Sequence, residues 1–187
     1  IVNLLRRDTR RLSPGQRISN LEALMLWDVV RRLRRKHYDI DKILHRTLFA
    51  TEDLLFNSVL VRANTQLKVI AHSLNRKLPA ELLENMHKTE KALEELYDEG
   101  TGQYYSRDFI THKLLLQPTI ATFMPLYAGT ISKERAEKLV EVLKDHKQFW
   151  LHHPVPSVPL NSKYFDAHRY WQGQTWVNTN WLIIDGL

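Results

Sequence analysis

The sequence predicts an all-α protein built from helical hairpins joined by polar, aromatic-rich loops. Apolar residues recur at helical spacing over most of the chain. Capping residues, Pro and Gly stand where such stretches begin and end. No alternating run is long enough to organise a sheet, and there is no fixed-period repeat or low-complexity linker. With 187 residues, 43% of them hydrophobic and 26% charged, the chain is globular and sized for one domain with a real core.

The elements follow in order. Ser19 or Asn20 caps a helix running to about Lys36, with Leu26, Val29, Val30 and Leu33 expected on its inner face. The stretch "DKILHRTLFA" reads as a short helix or a turn-rich connector. Glu52 and Asp53 are acids suited to a helix N-terminus, and the helix they open should run from Asp53 to about Ser73. Its apolar set Leu55, Val59, Ala63, Leu67 and Ile70 falls on one face, expected to point inward. Pro79, at a first-turn position, starts a helix that carries Leu82, Leu83, Met86, Leu93 and Leu96. "DEGTGQYYSRD" has two Gly and adjacent Tyr, so it reads as a turn with a short extended piece. "PTIATFMPLYAG" reads as a short buried helix ending at Gly129, and Ser132 caps "KERAEKLVEVLKD". Three Pro make "HHPVPSVPLNSKYF" a non-helical connection, and the last helix should start near Gly173 or Gln174. Such hairpins bring their connecting loops together at one end, where a rigid scaffold can carry a site.

Charge and composition narrow the function. The absence of cysteine removes a disulfide framework and thiolate metal sites, and favours a reducing, cytoplasmic compartment. No apolar run reaches bilayer length, so no membrane partner is expected. The net charge of +6 is concentrated in two clusters: Arg6, Arg7, Arg10, Arg11 and Arg17, then Arg31, Arg32, Arg34, Arg35 and Lys36. The second cluster points around much of its helix and no nucleic-acid fingerprint accompanies it, so a solvated helix face is favoured over a nucleic-acid site. His146, His152, His153 and His168 crowd one region without metal-ligand spacing and read as loop histidines; no metal is expected. The chain begins at Ile1 and stops just after "WLIIDGL", so both ends look cut from something longer.

The most informative stretch is "YWQGQTWVNTNW", Tyr170 to Trp181, with three of the five tryptophans, two Gln and two Asn. Indole and phenol rings offer flat apolar faces with one polar tip each, and side-chain amides offer paired donors and acceptors. A sugar needs both: its C–H faces stack on rings and its hydroxyls need directional partners. Gly173 allows close backbone approach, and Trp176 and Asn180, four apart, share a helix face. On aromatic content alone, the same rings would serve equally as core filler under a loop.

The segment "YWQGQTWVNTNWLIIDGL" resembles the "YWRGPxWxNxNW" segment of glycoside hydrolase family 63 and its bacterial relatives, which include mannosylglycerate and glucosylglycerate hydrolases. Other stretches resemble the family in the same order: "EDLLFNSVLVRAN" from Glu52, "LYDEGTGQYYSRD" from Leu96, "FMPLYAG" from Phe123 and "HPVPSVPLNSKYF" from His153. The matches cover most of the chain after Glu52, and the first fifty residues match loosely.

The resemblance implies an (α/α)6 barrel whose mouth holds the active site, of which residues 1–187 would be a single segment. It implies inverting hydrolysis of α-linked glycosides, which uses two carboxyl groups roughly 6.5–9.5 Å apart. The family's general acid and general base lie in segments that do not occur here, so no catalytic residue is assigned in this chain. Asp53, Asp98, Glu99, Asp108 and Asp166 are the available carboxylates. Asp53 reads as helix-start chemistry, Asp98 and Glu99 as turn and cap residues, and Asp166 as a solvated loop residue. What carries over is substrate binding by Tyr170, Trp171 and Trp176, with Gln172 beside them. Gln172 stands where the family commonly has Arg, replacing a bidentate carboxylate partner by a neutral one, which suits a neutral α-glucoside at least as well as an anionic substrate. Gln174 stands where Pro is common. The expected partners are a carbohydrate substrate, an α-glucoside or α-mannoside, and the remainder of the catalytic domain; no cofactor is implied. A non-catalytic helical carbohydrate-binding module is the alternative, and a basic helical nucleic-acid binder a weaker one.

Overall fold

The computed structural model of the chain describes residues 18–45, 47 and 50–187. The first arginine cluster lies outside the described residues. The helices are α1 (Asn20–Arg35), α2 (Ile40–His45), α3 (Leu54–Ser73), α4 (Ala80–Glu94), α5 (Met124–Ala128, preceded by a 3-10 turn over Ile120–Phe123), α6 (Lys133–Leu143) and α7 (Val177–Gly186). Among the described residues the named strands form two antiparallel ladders of two residues each, with isolated bridges at Arg107–Leu114 and Pro156–Thr175. β1 (Thr51–Glu52) pairs with β4 (Arg107–Asp108), and β2 (Tyr97–Asp98) pairs with β3 (Gln103–Tyr104). The turn-and-extended reading of residues 98–108 is what the chain does: Asp98 accepts the backbone and hydroxyl hydrogens of Thr101, both at 2.8 Å, and closes the β2–β3 turn.

The capping chemistry legible in the sequence is present. Ser19 and Glu22 form a reciprocal capping box on α1. Asp53 accepts the Phe56 N–H at 2.7 Å at the start of α3, and Ser132 accepts the Arg135 N–H at 3.3 Å at the start of α6. Gly129 ends α5 in the left-handed conformation with φ 73°, which suits a residue without Cβ. Pro79 stands at the N-cap position of α4.

The core gathers Leu54 and Val61 of α3, Phe123 and Met124 around the 3-10 turn, Leu139 of α6 and Phe149 of the following loop. Phe123 meets Phe149 edge-on with centroids 4.8 Å apart. α5 is the centre of the assembly, packed against both α3 and α7. Arg62 of α3 reaches Asp185 of α7 at 3.2 Å and lies over the ring of Tyr127 in α5, so the three helices are also tied by charge. The approach of α7 to α5 depends on Gly186: a Cβ there would stand 2.5 Å from the Tyr127 backbone nitrogen.

Three expectations are corrected. α3 does not turn the Leu55–Ile70 row inward; it buries Leu54, Ser58, Val61 and Ala71, while Val59, Ala63, Leu67 and Ile70 are exposed. α3 is apolar on more than one side, so periodicity within the helix cannot choose, and α5 covers the side that carries Ser58. Ser58 tolerates burial because its hydroxyl donates to the Leu54 carbonyl at 2.7 Å. α1 buries none of its residues: Leu26 and Val30 are exposed, and Val29 and Leu33 are half-buried. α7 begins at Val177, not near Gly173 or Gln174, because Gln174 and Thr175 are held extended: the Ser157 N–H donates to the Gln174 carbonyl at 3.0 Å and Thr175 bridges Pro156.

The connecting segments do meet at one end. The Leu54 N–H donates to Ser106 Oγ at 3.1 Å, Phe109 N–H to the Ala50 carbonyl at 2.9 Å, and Ile120 N–H to the Ser157 carbonyl at 3.0 Å. No helix of the described residues is long and apolar enough to cross a membrane.

Candidate functional site

The segment from Tyr170 to Trp176 sits at that end, ahead of the first turn of α7. Its three rings form one cluster. Trp171 and Trp176 are stacked with centroids 5.0 Å apart at 30°. Tyr170 meets Trp176 at 4.4 Å and Trp171 edge-on at 5.8 Å. The Trp176 indole N–H donates to the Tyr170 carbonyl at 3.0 Å, which closes the turn around the rings. Tyr170 is 61% and Trp171 49% exposed, so these rings are not filler under a loop. Trp176, with its Nε1 satisfied internally, is half-buried and forms the floor.

Gln172 lies beside the rings. Its carbonyl accepts the Asp166 N–H at 2.5 Å, and its half-buried side-chain amide has no hydrogen-bond partner among the described residues. Gly173 does serve a close approach, though to the chain itself: with φ 156°, a Cβ there would lie 3.0 Å from the Phe165 ring and 3.2 Å from the Asp166 carbonyl carbon. Trp181, the residue after Asn180 on α7, points away from the core and is 69% exposed.

Two residues that sequence reasoning passed over hold this segment. Ser157 is buried, and its Oγ accepts the Gly173 N–H at 2.9 Å. Arg169, immediately before Tyr170, donates to Glu22 of α1 at 3.1 Å. Neither has a local signature; a Ser in a Pro-rich loop and an Arg in a basic protein are ordinary until the fold brings their partners close. The Arg169 pair also contributes to holding the Glu22 carboxyl below its usual range, after the larger effects of the Ser19 backbone and hydroxyl.

Every carboxylate considered from the sequence already has a partner within the chain. Asp53 caps α3, Asp98 binds Thr101, and Asp108 accepts from the Thr111 N–H at 2.7 Å and the Ile110 N–H at 3.1 Å. Glu99 pairs with Arg135 at 3.1 Å, an ion pair where only turn and cap chemistry was expected. Asp166 accepts the His168 N–H at 2.9 Å in an exposed turn, with Arg169 Nε at 3.8 Å. His152 and His153 contact each other at 3.2 Å and are exposed. Among the described residues no group of three or more His, Asp or Glu is arranged to hold a metal ion. In the second basic cluster, Arg31 and Arg32 share Asp28 at 2.9 and 2.6 Å, which neutralises part of that surface.

A concavity also lies elsewhere. A cleft of ≈ 390 Å³ opens between α3 and α4, lined by Glu52, Asn57, Leu60, Lys88, Leu96 and Arg107 among others. Arg107 is already committed there, to Glu52 at 2.7 Å and Glu95 at 3.0 Å. The cleft contains no stacked ring and does not reach the aromatic cluster.

The helical scaffold is shared with known glycoside hydrolases. The chain belongs to the family described as the mannosylglycerate hydrolase MGH1-like glycoside hydrolase domain, whose model matches residues 16–187. A mannosylglycerate hydrolase of Thermus thermophilus is 33% identical over 183 residues, covering 97% of this chain and 43% of that protein. The crystal structure of the GH63 mannosylglycerate hydrolase from Thermus thermophilus in complex with Tris and D-glycerate superposes with a TM-score of 0.86 at 33% identity, over 97% of this chain and 43% of that one. The same enzyme in complex with glucose gives 0.83 at 32% identity, over 96% and 43%. The chain thus spans about two fifths of the length of these relatives.

Proposed function

We propose that this chain is the sugar-binding portion of an inverting α-glycoside hydrolase of (α/α)6-barrel architecture, acting on an α-glucoside or α-mannoside. The observation that carries the reading is the ring cluster of exposed Tyr170 and Trp171 over half-buried Trp176, beside Gln172, whose amide has no hydrogen-bond partner among the described residues. The rings would face the C–H surface of a pyranose and fix its orientation, while Gln172 would exchange hydrogen bonds with its hydroxyls. The general acid and the general base would come from the part of the domain that the chain does not span. In support, the carboxylates at hand are already used as caps, turn ligands and ion pairs. The relatives' bound glucose and D-glycerate support a carbohydrate substrate.

The test is kinetic. In the complete enzyme, Trp171→Ala should lower kcat/KM on the best α-glycoside by at least about tenfold, roughly 1.4 kcal/mol of transition-state binding. Wild-type kinetics in that variant remove the pocket assignment. The anomer released first, read by proton NMR, tests the stereochemistry: a β-product from an α-glycoside is expected, and an α-product overturns inversion.

A further inference from the structure

The aromatic cluster stands on a turn without regular structure, yet its backbone is stitched to a second irregular segment, residues 153–157. Asn180 carries most of the stitch. Its Oδ1 accepts the Val155 N–H at 2.7 Å, while its Nδ2 donates to the Val155 carbonyl at 3.1 Å and to the Trp176 carbonyl at 2.9 Å. One side chain therefore reads both main-chain groups of Val155 and holds the residue that forms the floor of the ring cluster. This pattern requires an amide: Asp would present a second acceptor to two carbonyls, and Ala would leave all three groups open. Ser157 completes the stitch. Its Oγ accepts the Gly173 N–H at 2.9 Å, its own N–H donates to the Gln174 carbonyl at 3.0 Å, and its carbonyl accepts the Ile120 N–H at 3.0 Å, where the 3-10 turn enters the core. The ring-bearing turn is thus anchored through Ser157 to the buried end of α5 and through Asn180 to the first turn of α7.

We propose that Asn180 and Ser157 are positioning residues whose task is to set the Trp171–Trp176 stack. Neither belongs to the ring cluster; both act through the backbone of the residues that carry or flank it. Such support is what keeps exposed recognition groups in one geometry when their own packing is slight. The benefit to sugar binding rests on the function proposed above; the positioning of the rings does not.

The experiment uses the complete protein and reads the rings directly. Two indoles 5.0 Å apart at a fixed angle give a coupled near-ultraviolet circular dichroism band, isolated as the difference between wild type and Trp171→Phe. Asn180→Asp and Ser157→Ala should each lose at least about half of that band and bind glucose at least about fivefold more weakly. Ser132→Ala, which removes the cap of α6 and touches none of the ring-cluster contacts, serves as the destabilised control and should keep the band. If Asn180→Asp does not fold, Ser157→Ala decides alone, since it deletes one hydroxyl. Variants that melt lower but keep the full band overturn the proposal, whatever their sugar affinity. Loss of the band with unchanged glucose affinity upholds the positioning and removes the pocket reading instead.

Discussion

At Tyr104 burial governs the response to alkaline pH. The side chain is buried beneath Arg135, its hydroxyl is 3.4 Å from Glu94, and its ring lies 4.9 Å from that of Tyr97. Burial pushes its hydroxyl well above the usual value of 10.0, with Arg135 opposing and Glu94 reinforcing. The unfolded chain therefore ionises first. The stabilisation is complete below about pH 10 and is lost as pH rises from there through the folded value. Unfolding free energy measured by denaturant should fall above about pH 10, and Tyr104→Phe should flatten that fall. An equal slope in the variant removes the assignment. Asp145 runs the other way. Hydrogen bonds from the Gln148 amide at 2.7 Å and the Lys147 N–H at 2.8 Å hold its carboxyl below its ordinary 3.8. Its contribution is present above that value and is lost as pH falls through the folded one. Asp145→Asn should therefore weaken the dependence of stability on pH below about pH 4, read by thermal melts across that range.

At the scale of elements, the decisive contact is α7 on α5. Gly186→Ala would place a methyl 2.5 Å from Tyr127 N and 2.6 Å from Leu126 C, both backbone atoms that no rotamer change can move. The helices would have to separate, at a cost of about 1–3 kcal/mol. A lowered denaturation midpoint at unchanged m-value is the expected signature, and an unshifted midpoint would show that α7 adjusts freely. The helix starts were legible because capping is local: Ser19, Asp53 and Ser132 each act on the N–H three residues ahead. The start of α7 was not, because Ser157 and Pro156, from another segment, hold Gln174 and Thr175 extended.

For the whole molecule, the exposed apolar faces are the main feature. Phe56, Leu67 and Ile70 of α3, and Val177, Trp181 and Ile184 of α7, are exposed on the two helices that flank α5. α1 adds Leu24, Met25 and Trp27. Apolar surface on this scale is a contact surface in a stable protein, and the relatives are more than twice as long as this chain. A polypeptide limited to these 187 residues should bind a hydrophobic dye such as ANS and self-associate in sedimentation. A monomeric, dye-negative 187-residue product would show that these faces need no cover.

The sequence alone determined what depends on neighbours along the chain: the helical class, the capped starts of α1, α3 and α6, the Gly129 stop, the Asp98 turn and the aromatic segment as the place to look. Each rests on propensities or hydrogen bonds that span a few residues. Tertiary structure alone decided which face of α3 is buried, where α7 begins, and that Tyr170, Trp171 and Trp176 form one cluster whose backbone is bonded to Ser157 and Asn180. These depend on which surfaces meet across more than a dozen residues. A helix with two apolar faces, or a serine in a proline-rich loop, acquires its role only when another segment arrives beside it.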